Sequence, residues 1–284
     1  MNEQAGALQD YIRRKNLTHL LTARTEPLPG SGRVITVSSG KGGVGKTTLT
    51  LNLALASPEQ ALVVDGDFLL GNIGTFLNKN PARNWTDILQ SPETWNRGLI
   101  QLNETTAVLA GASPEDERQL RASLSTDRLV SLLRQWRESF DLIFIDTASG
   151  LGAQVLEWCL AANRIMVVST PEPAACTDAY ALVKSLSLTE KIPPVGVLIN
   201  DYLPGDDPLS IFNQLNVMTE RFLDQRLEYY GAVPRSGLIT ESTRQQEPVM
   251  LSKGRDEIMP HMEGILSRLT GNEKVHEQPV NAIG

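Results

Sequence analysis

A lysine and a hydroxyl, Lys46 and Thr47, end a glycine-rich stretch and could together bind the phosphates and the metal of a nucleotide. The stretch satisfies the pattern G-x-x-x-x-G-K-[ST] and consists of Gly40, Lys41, Gly42, Gly43, Val44, Gly45, Lys46, Thr47 and Thr48. Glycines let successive backbone N–H groups point at phosphate oxygens, the lysine reaches the β- and γ-phosphates, and the hydroxyl ligates Mg²⁺. We therefore predict a phosphate-binding loop, with a purely structural turn as the alternative.

Three aspartates follow apolar runs and could supply carboxylates to the same site. Asp65 ends the run Ala61–Asp65 and is followed by Asp67, and Asp146 ends the run Asp141–Asp146. The carboxyl ends of parallel strands face the crevice in which α/β sheets bind ligands. We predict that Asp67 orients or polarises the attacking water, that Asp146 lies beside Mg²⁺, and that Asp65 supports the metal shell or the loop geometry. For Asp65 and Asp67, a polar loop after a strand is the alternative.

An amide and a proline near the end of the chain predict the base pocket. Asn200 ends the apolar run Val195–Asn200, and an amide offers adenine both a donor and an acceptor. Pro234 lies in Gly231–Arg235, which we predict to be a last strand and loop near the base. The neighbouring Asp201 carboxylate would suit guanine, so the sequence leaves GTP open beside ATP.

The elements that position these residues alternate between apolar runs and helical patterns. This alternation predicts an α/β fold, with a mostly parallel twisted sheet flanked by helices on both faces. We assign residues 33–270 to one domain, 1–32 to a partner-binding segment and linker, and 271–284 to a disordered tail. Thr177 or Asp178 is predicted to cap a helix, and Trp85 and Trp95 to pack in the core or a lid.

The last predicted helix, Asp256 to Leu269, has an apolar face that could dock on the domain or lie on a membrane. Its charged residues are mostly acidic and Pro260 interrupts it, so docking is favoured, because interfacial helices are usually basic.

Composition excludes several other classes. The chain has 284 residues, of which 41% are hydrophobic and 21% are charged, and a net charge of −7. An acidic chain argues against broad nucleic-acid binding. No apolar run reaches about 18 residues and no signal peptide is visible, so we expect a cytoplasmic protein. Cys159 and Cys176 lack metal-ligand spacing and are predicted to be packing residues.

The run Lys41–Thr48 resembles the deviant Walker A motif of MinD/ParA-type ATPases, a group of P-loop NTPases in the SIMIBI class. The resemblance implies a homodimer that closes face to face around two ATP molecules with Mg²⁺. Lys41 cannot easily fold back onto the phosphates that Lys46 holds, so it would serve the nucleotide of the neighbouring subunit. Lys41, Lys46 and Asp67 are then the expected catalytic residues of a slow ATPase.

Three further segments resemble the flagellar-number regulators known as FlhG or FleN. They are Asp146–Gly152, Glu172–Leu182 and Val217–Leu223. The resemblance implies control of flagellar number and placement, at the inner membrane or the cell pole as well as in the cytoplasm. The implied partners are FlhF (a signal-recognition-type GTPase), a flagellar C-ring component and the master transcription regulator of flagellar genes.

The N-terminal segment Glu3–Gln9 resembles the DQAxxLR element with which that family activates FlhF. Gln4, Ala5 and Leu8 match the element and are the predicted partner-binding residues, whereas Glu3 and Gln9 replace Asp and Arg. Three alternatives remain open. They are a ParA-type DNA-partitioning ATPase, a nucleotide-dependent scaffold with little turnover, and an iron–sulfur carrier, which would need a suitably placed cysteine pair.

Overall fold

An eight-stranded sheet forms the centre of the molecule, in the order β3-β4-β2-β5-β1-β6-β7-β8. The computed structural model describes residues 32–271, apart from 68–70, 72, 82, 84, 112–125 and 190. The strands are β1 Arg33–Ser38, β2 Ala61–Asp65, β3 Leu99–Gln101, β4 Thr106–Leu109, β5 Leu142–Asp146, β6 Arg164–Ser169, β7 Val195–Tyr202 and β8 Glu228–Pro234. All neighbouring strands pair in parallel except β3, which runs antiparallel to β4 at one edge.

Helices cover both faces of this sheet. They are α1 Lys46–Ala56, α2 Ile73–Phe76, α3 Trp85–Gln90, α4 Thr126–Ser139, α5 Ala153–Ala161, α6 Pro173–Leu186, α7 Pro208–Leu223, α8 Gly237–Arg244 and α9 Arg255–Thr270, with short 3₁₀ helices at Pro92–Gly98 and Val249–Leu251.

Alternate residues of the central strands bury their side chains in two separate cores. In β5, Ile143 and Ile145 join the core beneath α4, α5 and α6, whereas Leu142 and Phe144 join the core beneath α1 and α9. A strand that is buried on both faces consists almost entirely of apolar residues. For this reason, the apolar runs in the sequence predicted these strands. The predicted fold class is confirmed.

Helix α9 packs on the domain as predicted. Its buried side chains are Ile258, Met262, Ile265, Leu266 and Leu269. Pro260 does not interrupt the helix, which continues to Thr270. None of the helices that the structure describes is long and apolar enough to cross a membrane.

Other local predictions need correction. Neither Thr177 nor Asp178 caps α6, because the helix already begins at Pro173, whose fixed φ favours the first helical position. Thr177 lies inside the helix, where its Oγ1 donates to Pro173 O at 2.9 Å. Helix α5 was not predicted, since its residues from Val155 to Ala161 are all buried and show no amphipathic period.

The four tryptophans of the sequence lie in one aromatic cluster beside β2 and β5. The ring centroid of Trp85 lies 5.9 Å from that of Trp136 and 6.5 Å from that of Trp158, and Trp95 lies 6.5 Å from Trp136. Core packing of Trp85 and Trp95 is thus confirmed. Cys159 is buried in the same core, and Cys176 is partly buried.

Candidate functional site

The glycine-rich loop joins the carboxyl end of β1 to the start of α1. Gly43 and Gly45 have φ of 77° and 93°, a left-handed backbone that favours glycine. Gly45 precedes α1 as its N-cap, and no side chain caps this helix end. The loop therefore has the curled backbone and the uncapped helix N-terminus that bind phosphate in other proteins.

Lys46 is held against the loop by a neighbouring hydroxyl. Its Nζ donates to Ser39 Oγ at 2.9 Å, and Ser39 Oγ in turn donates to the backbone oxygen of Lys41 at 2.7 Å. Burial lowers the pKa of Lys46, while the charges of Asp146 and Asp67 oppose that shift. A partly desolvated ammonium group of this kind interacts strongly with an anion that enters the loop.

Thr47 and Asp146 are in direct contact. Thr47 Oγ1 donates to Asp146 Oδ2 at 2.6 Å, and Asp146 Oδ1 is buried and has no hydrogen-bond partner among the described residues. Burial raises the pKa of Asp146 to about 6, against the effect of the Thr47 hydrogen bond and the Lys46 charge. An orphaned carboxylate oxygen beside a hydroxyl is a suitable pair of ligands for a hard cation.

Asp65 pairs in register with Asp146 on the adjacent strand, and both of its oxygens accept backbone hydrogen bonds. Oδ1 accepts from Asp67 N and Oδ2 from Ile73 N, each at 3.2 Å. Burial, followed by the charge of Asp146, raises the pKa of Asp65 to about 8. The carboxyl group of Asp65 thus organises the loop that carries Asp67, whose side chain is half-buried near Lys46.

The side chain of Lys41 contacts the residue that precedes α6. Its Nζ forms an ion pair with Glu172, and both side chains are partly exposed. The backbone beside it is tightly packed, because a Cβ on Gly40 would lie 2.2 Å from the Asp178 carbonyl oxygen. Asp178 therefore contacts the loop through its backbone.

Asn200 joins the end of β7 to the phosphate loop. Its Nδ2 donates to Val44 O at 2.8 Å, and a Cβ on Gly45 would lie only 2.4 Å from the same nitrogen. Pro234 ends β8 opposite Tyr202 of β7. Both residues thus lie at the same edge of the sheet as the loop.

The structure brings together most of the residues that the sequence singled out. The phosphate loop, Asp65, Asp67, Asp146, Asn200 and Pro234 all lie at the carboxyl edge of the sheet. Gln4, Ala5 and Leu8 lie outside the described residues. Sequence reasoning missed Ser39 and Glu172 as partners of the lysines, since neither belongs to the G-x-x-x-x-G-K-[ST] pattern.

The chemistry of these groups fits a nucleotide with Mg²⁺. Among the described residues, no group of three or more His, Cys, Asp or Glu side chains could hold a metal ion by itself. Mg²⁺ fits such a site, because it commonly takes one or two protein oxygens and completes its shell with phosphate and water.

The sequence profile of the ParA family, described as "NUBPL iron-transfer P-loop NTPase", matches residues 31–270. The chain belongs to this ParA family of P-loop NTPases. It is 28% identical to the antiactivator FleN of Pseudomonas aeruginosa over 253 residues, which cover 88% of each chain. It is 25% identical to the flagellum site-determining protein YlxH of Helicobacter pylori, over 87% of this chain and 83% of the relative.

MinD proteins are similar to the same degree. The septum site-determining protein MinD of a Synechocystis strain is 28% identical over 85% of this chain and 90% of its own length. Two solved MinD structures share the fold. The cell division ATPase MinD of Pyrococcus furiosus has a TM-score of 0.67 at 25% identity, over 83% of this chain and 99% of its own. MinD of Pyrococcus horikoshii, solved with Mg-ADP, has a TM-score of 0.68 at 23% identity, over 86% and 100%.

Proposed function

We propose that the protein is a slow ATPase that works as a dimerisation switch and regulates flagellar number and placement. The observation that carries the ATPase assignment is the assembly of Lys46, Thr47 and Asp146 around one glycine-rich loop. The flagellar assignment rests on the similarity to FleN and YlxH.

In the proposed mechanism, Lys46 and the loop backbone hold the β- and γ-phosphates of ATP, and Thr47 and Asp146 hold Mg²⁺. The cation supplies positive charge beside the phosphates when it is bound. Asp67 orients the water that attacks the terminal phosphate, and Asp65 maintains the backbone of the Asp67 loop on the metal side of the site. Asn200 and Pro234 border the base.

In this mechanism, Lys41 of one subunit contacts the nucleotide that is bound to the other subunit. In the structure it pairs with Glu172 of its own chain, so dimerisation must replace that contact with the phosphates of the partner's nucleotide. Ion pairs between partly exposed side chains contribute at most about 1 kcal/mol, so the exchange costs little.

A turnover and dimerisation assay tests the switch. Phosphate release with ATP and Mg²⁺ should be lost in Lys46→Ala and in Asp67→Ala, whereas Lys41→Ala should bind ATP but fail to dimerise in size-exclusion chromatography. Lys253→Ala changes an exposed lysine outside the loop and serves as the matched control. A Lys41→Ala protein that dimerises with ATP like the wild type would contradict the action of Lys41 in the second subunit. Unchanged turnover in Asp67→Ala would favour a scaffold.

The proposed partners are FlhF, a C-ring component and the flagellar transcription regulator. Helix α7 carries an apolar surface formed by Val217, Met218 and Phe222, which are 59%, 44% and 64% exposed. An exposed apolar surface of this kind is typical of a site that binds another protein. The apolar face of α9 is buried, so the described part of the chain supports protein partners better than a membrane.

FlhF stimulation tests the N-terminal part of the proposal. The GTPase rate of purified FlhF should rise with the wild-type protein and should not rise with Gln4→Ala or with a chain that lacks residues 1–30. Asn16→Ala is the control within the same segment. If the wild type gives no stimulation, the FlhF partnership is wrong.

A MinD-like role in septum placement is the second candidate, because MinD of Synechocystis is as similar to this chain as FleN is. Deletion of the gene separates the two functions. A change in flagellar number with normal septa favours the flagellar role, and misplaced septa favour the MinD-like role.

A further inference from the structure

Two charged side chains lie together beside the region where we place the base. Arg235 Nε donates to Asp201 Oδ1 at 2.9 Å, and Arg235 Nη2 donates to Asp201 Oδ2 at 2.7 Å. Both oxygens of the carboxylate are therefore engaged by one guanidinium group. This fork-to-fork arrangement fixes the orientation of the carboxylate as well as its charge.

The backbone holds this pair at the carboxyl edge of the sheet. Asp201 directly follows Asn200, whose amide contacts Val44 of the phosphate loop, and Arg235 directly follows Pro234 at the end of β8. The strand register shifts between Asn200 and Tyr202, and Asp201 has a φ of 61°, which is uncommon for a residue other than glycine. Arg235 N also donates to Tyr202 O at 2.9 Å, so the bulged backbone on both sides of the pair is fixed.

A free carboxylate at this position would select guanine. The Watson–Crick edge of guanine presents two neighbouring donors, N1–H and the N2 amino group, which a carboxylate accepts together. The corresponding edge of adenine has an acceptor at N1 and a donor only at N6. The Arg235 guanidinium occupies the edge of the carboxylate that the N1–H and N2 amino groups of guanine would need, so the paired contact with guanine requires that the ion pair is first broken.

We propose that Arg235 is a specificity-determining residue, which withholds the Asp201 carboxylate from guanine and so makes the site selective for adenine nucleotides. The proposal rests on the proposed function, because it requires that a nucleotide binds in the phosphate loop. It gives the Asp201–Arg235 pair a role in choosing the substrate. The side chains are 42% and 56% exposed, so a bound base could reach them.

Competition binding tests the proposal. Unlabelled ATP and GTP, each with Mg²⁺, compete with a fluorescent ATP analogue on the full-length wild type, Arg235→Ala, Asp201→Asn and the double variant. The wild type should prefer ATP. Arg235→Ala should raise the affinity for GTP relative to ATP by about threefold to fivefold, since the wild type must first break an ion pair between partly exposed side chains before guanine can bind. The double variant should lose that gain, because it has no carboxylate.

Arg226→Ala is the matched control, since Arg226 also pairs with a carboxylate on the surface, that of Glu220 at 3.7 Å. It should leave the ratio of the two affinities unchanged. If Arg235→Ala changes the ATP and GTP affinities equally, or if the double variant keeps the gain, the proposal is overturned. If the wild type binds neither nucleotide, the proposed function itself fails, and that result is distinct from the others.

Discussion

Gly45 is a position in the phosphate loop where the effect of one added methyl group can be worked out contact by contact. Its φ of 93° is costly for any other residue, and a Cβ there would lie 2.4 Å from Asn200 Nδ2. Gly43 provides the matched control. It has a similar φ of 77°, but no heavy atom lies within 4 Å of the position of its Cβ.

The two substitutions therefore differ by one contact. A non-glycine residue in the left-handed region costs about 1–2 kcal/mol, so Gly43→Ala should lower the free energy of unfolding by that amount. Gly45→Ala adds the displacement of the Asn200 amide and the loss of its hydrogen bond to Val44 O, which contributes about 1 kcal/mol. We expect a total loss of about 2–3 kcal/mol for Gly45→Ala.

Urea unfolding of the nucleotide-free protein measures both losses, and a double-mutant cycle with Asn200→Ala isolates the contact. In the Gly45→Ala background the amide is already displaced, so Asn200→Ala should cost less than in the wild type, by about 1 kcal/mol. In the Gly43→Ala background it should cost the same as in the wild type. Equal losses for Gly43→Ala and Gly45→Ala, or strict additivity of Gly45→Ala with Asn200→Ala, would refute this reasoning.

Three further predictions concern Trp85, Asp65 and Phe222. Trp85 Nε1 donates to Asp65 O at 2.9 Å. Trp85→Phe should therefore leave this buried carbonyl without the hydrogen bond and lower the free energy of unfolding by about 1–3 kcal/mol. An unchanged urea midpoint would contradict this. The pKa of Asp65 is raised from 3.8 to about 8, so the folded state binds the proton more tightly than the unfolded state does. This contribution to the stability of the wild type is present below about pH 4 and is lost as the pH rises towards 8. Asp65→Asn has no such proton to lose. Its free energy of unfolding should therefore rise relative to that of the wild type between about pH 4 and pH 8. Phe222→Ala should leave ATP turnover unchanged and weaken partner binding in a pull-down, because the ring is 64% exposed; Leu251→Ala, at 39% exposure outside α7, is the control, and equal loss in both would exclude a specific surface on α7.

The parts of the site that the sequence predicted are those encoded by local patterns. The glycine spacing identified the phosphate loop, and apolar runs that end in aspartate located Asp65 and Asp146, because both signals depend only on neighbours in the chain. The same logic located β2, β5 and β7 and missed β3, which has only three residues, Leu99–Gln101.

The contacts that the sequence did not predict join residues that are distant along the chain. The sequence predicts that Asn200 borders the base, but it does not predict that the Asn200 amide also donates to Val44 O, 156 positions away. The pairing of Lys41 with Glu172 spans 131 positions. Contacts of this kind arise from how the strands are ordered in the sheet, which no local period encodes.

One contact described by the structure has a topological consequence. Arg33 Nη1 at the start of β1 donates to Thr270 O at the end of α9, at 2.7 Å, so the two ends of the described domain meet at the amino edge of the sheet. A short linker from residue 270 to residue 33 could close the chain, and residues 224–226 before β8, where 224 and 226 are exposed, offer a new opening on the same edge. A circular permutant of this design should retain the nucleotide site at the opposite edge of the sheet. The site would then depend on how the strands and helices pack together and not on their order along the chain.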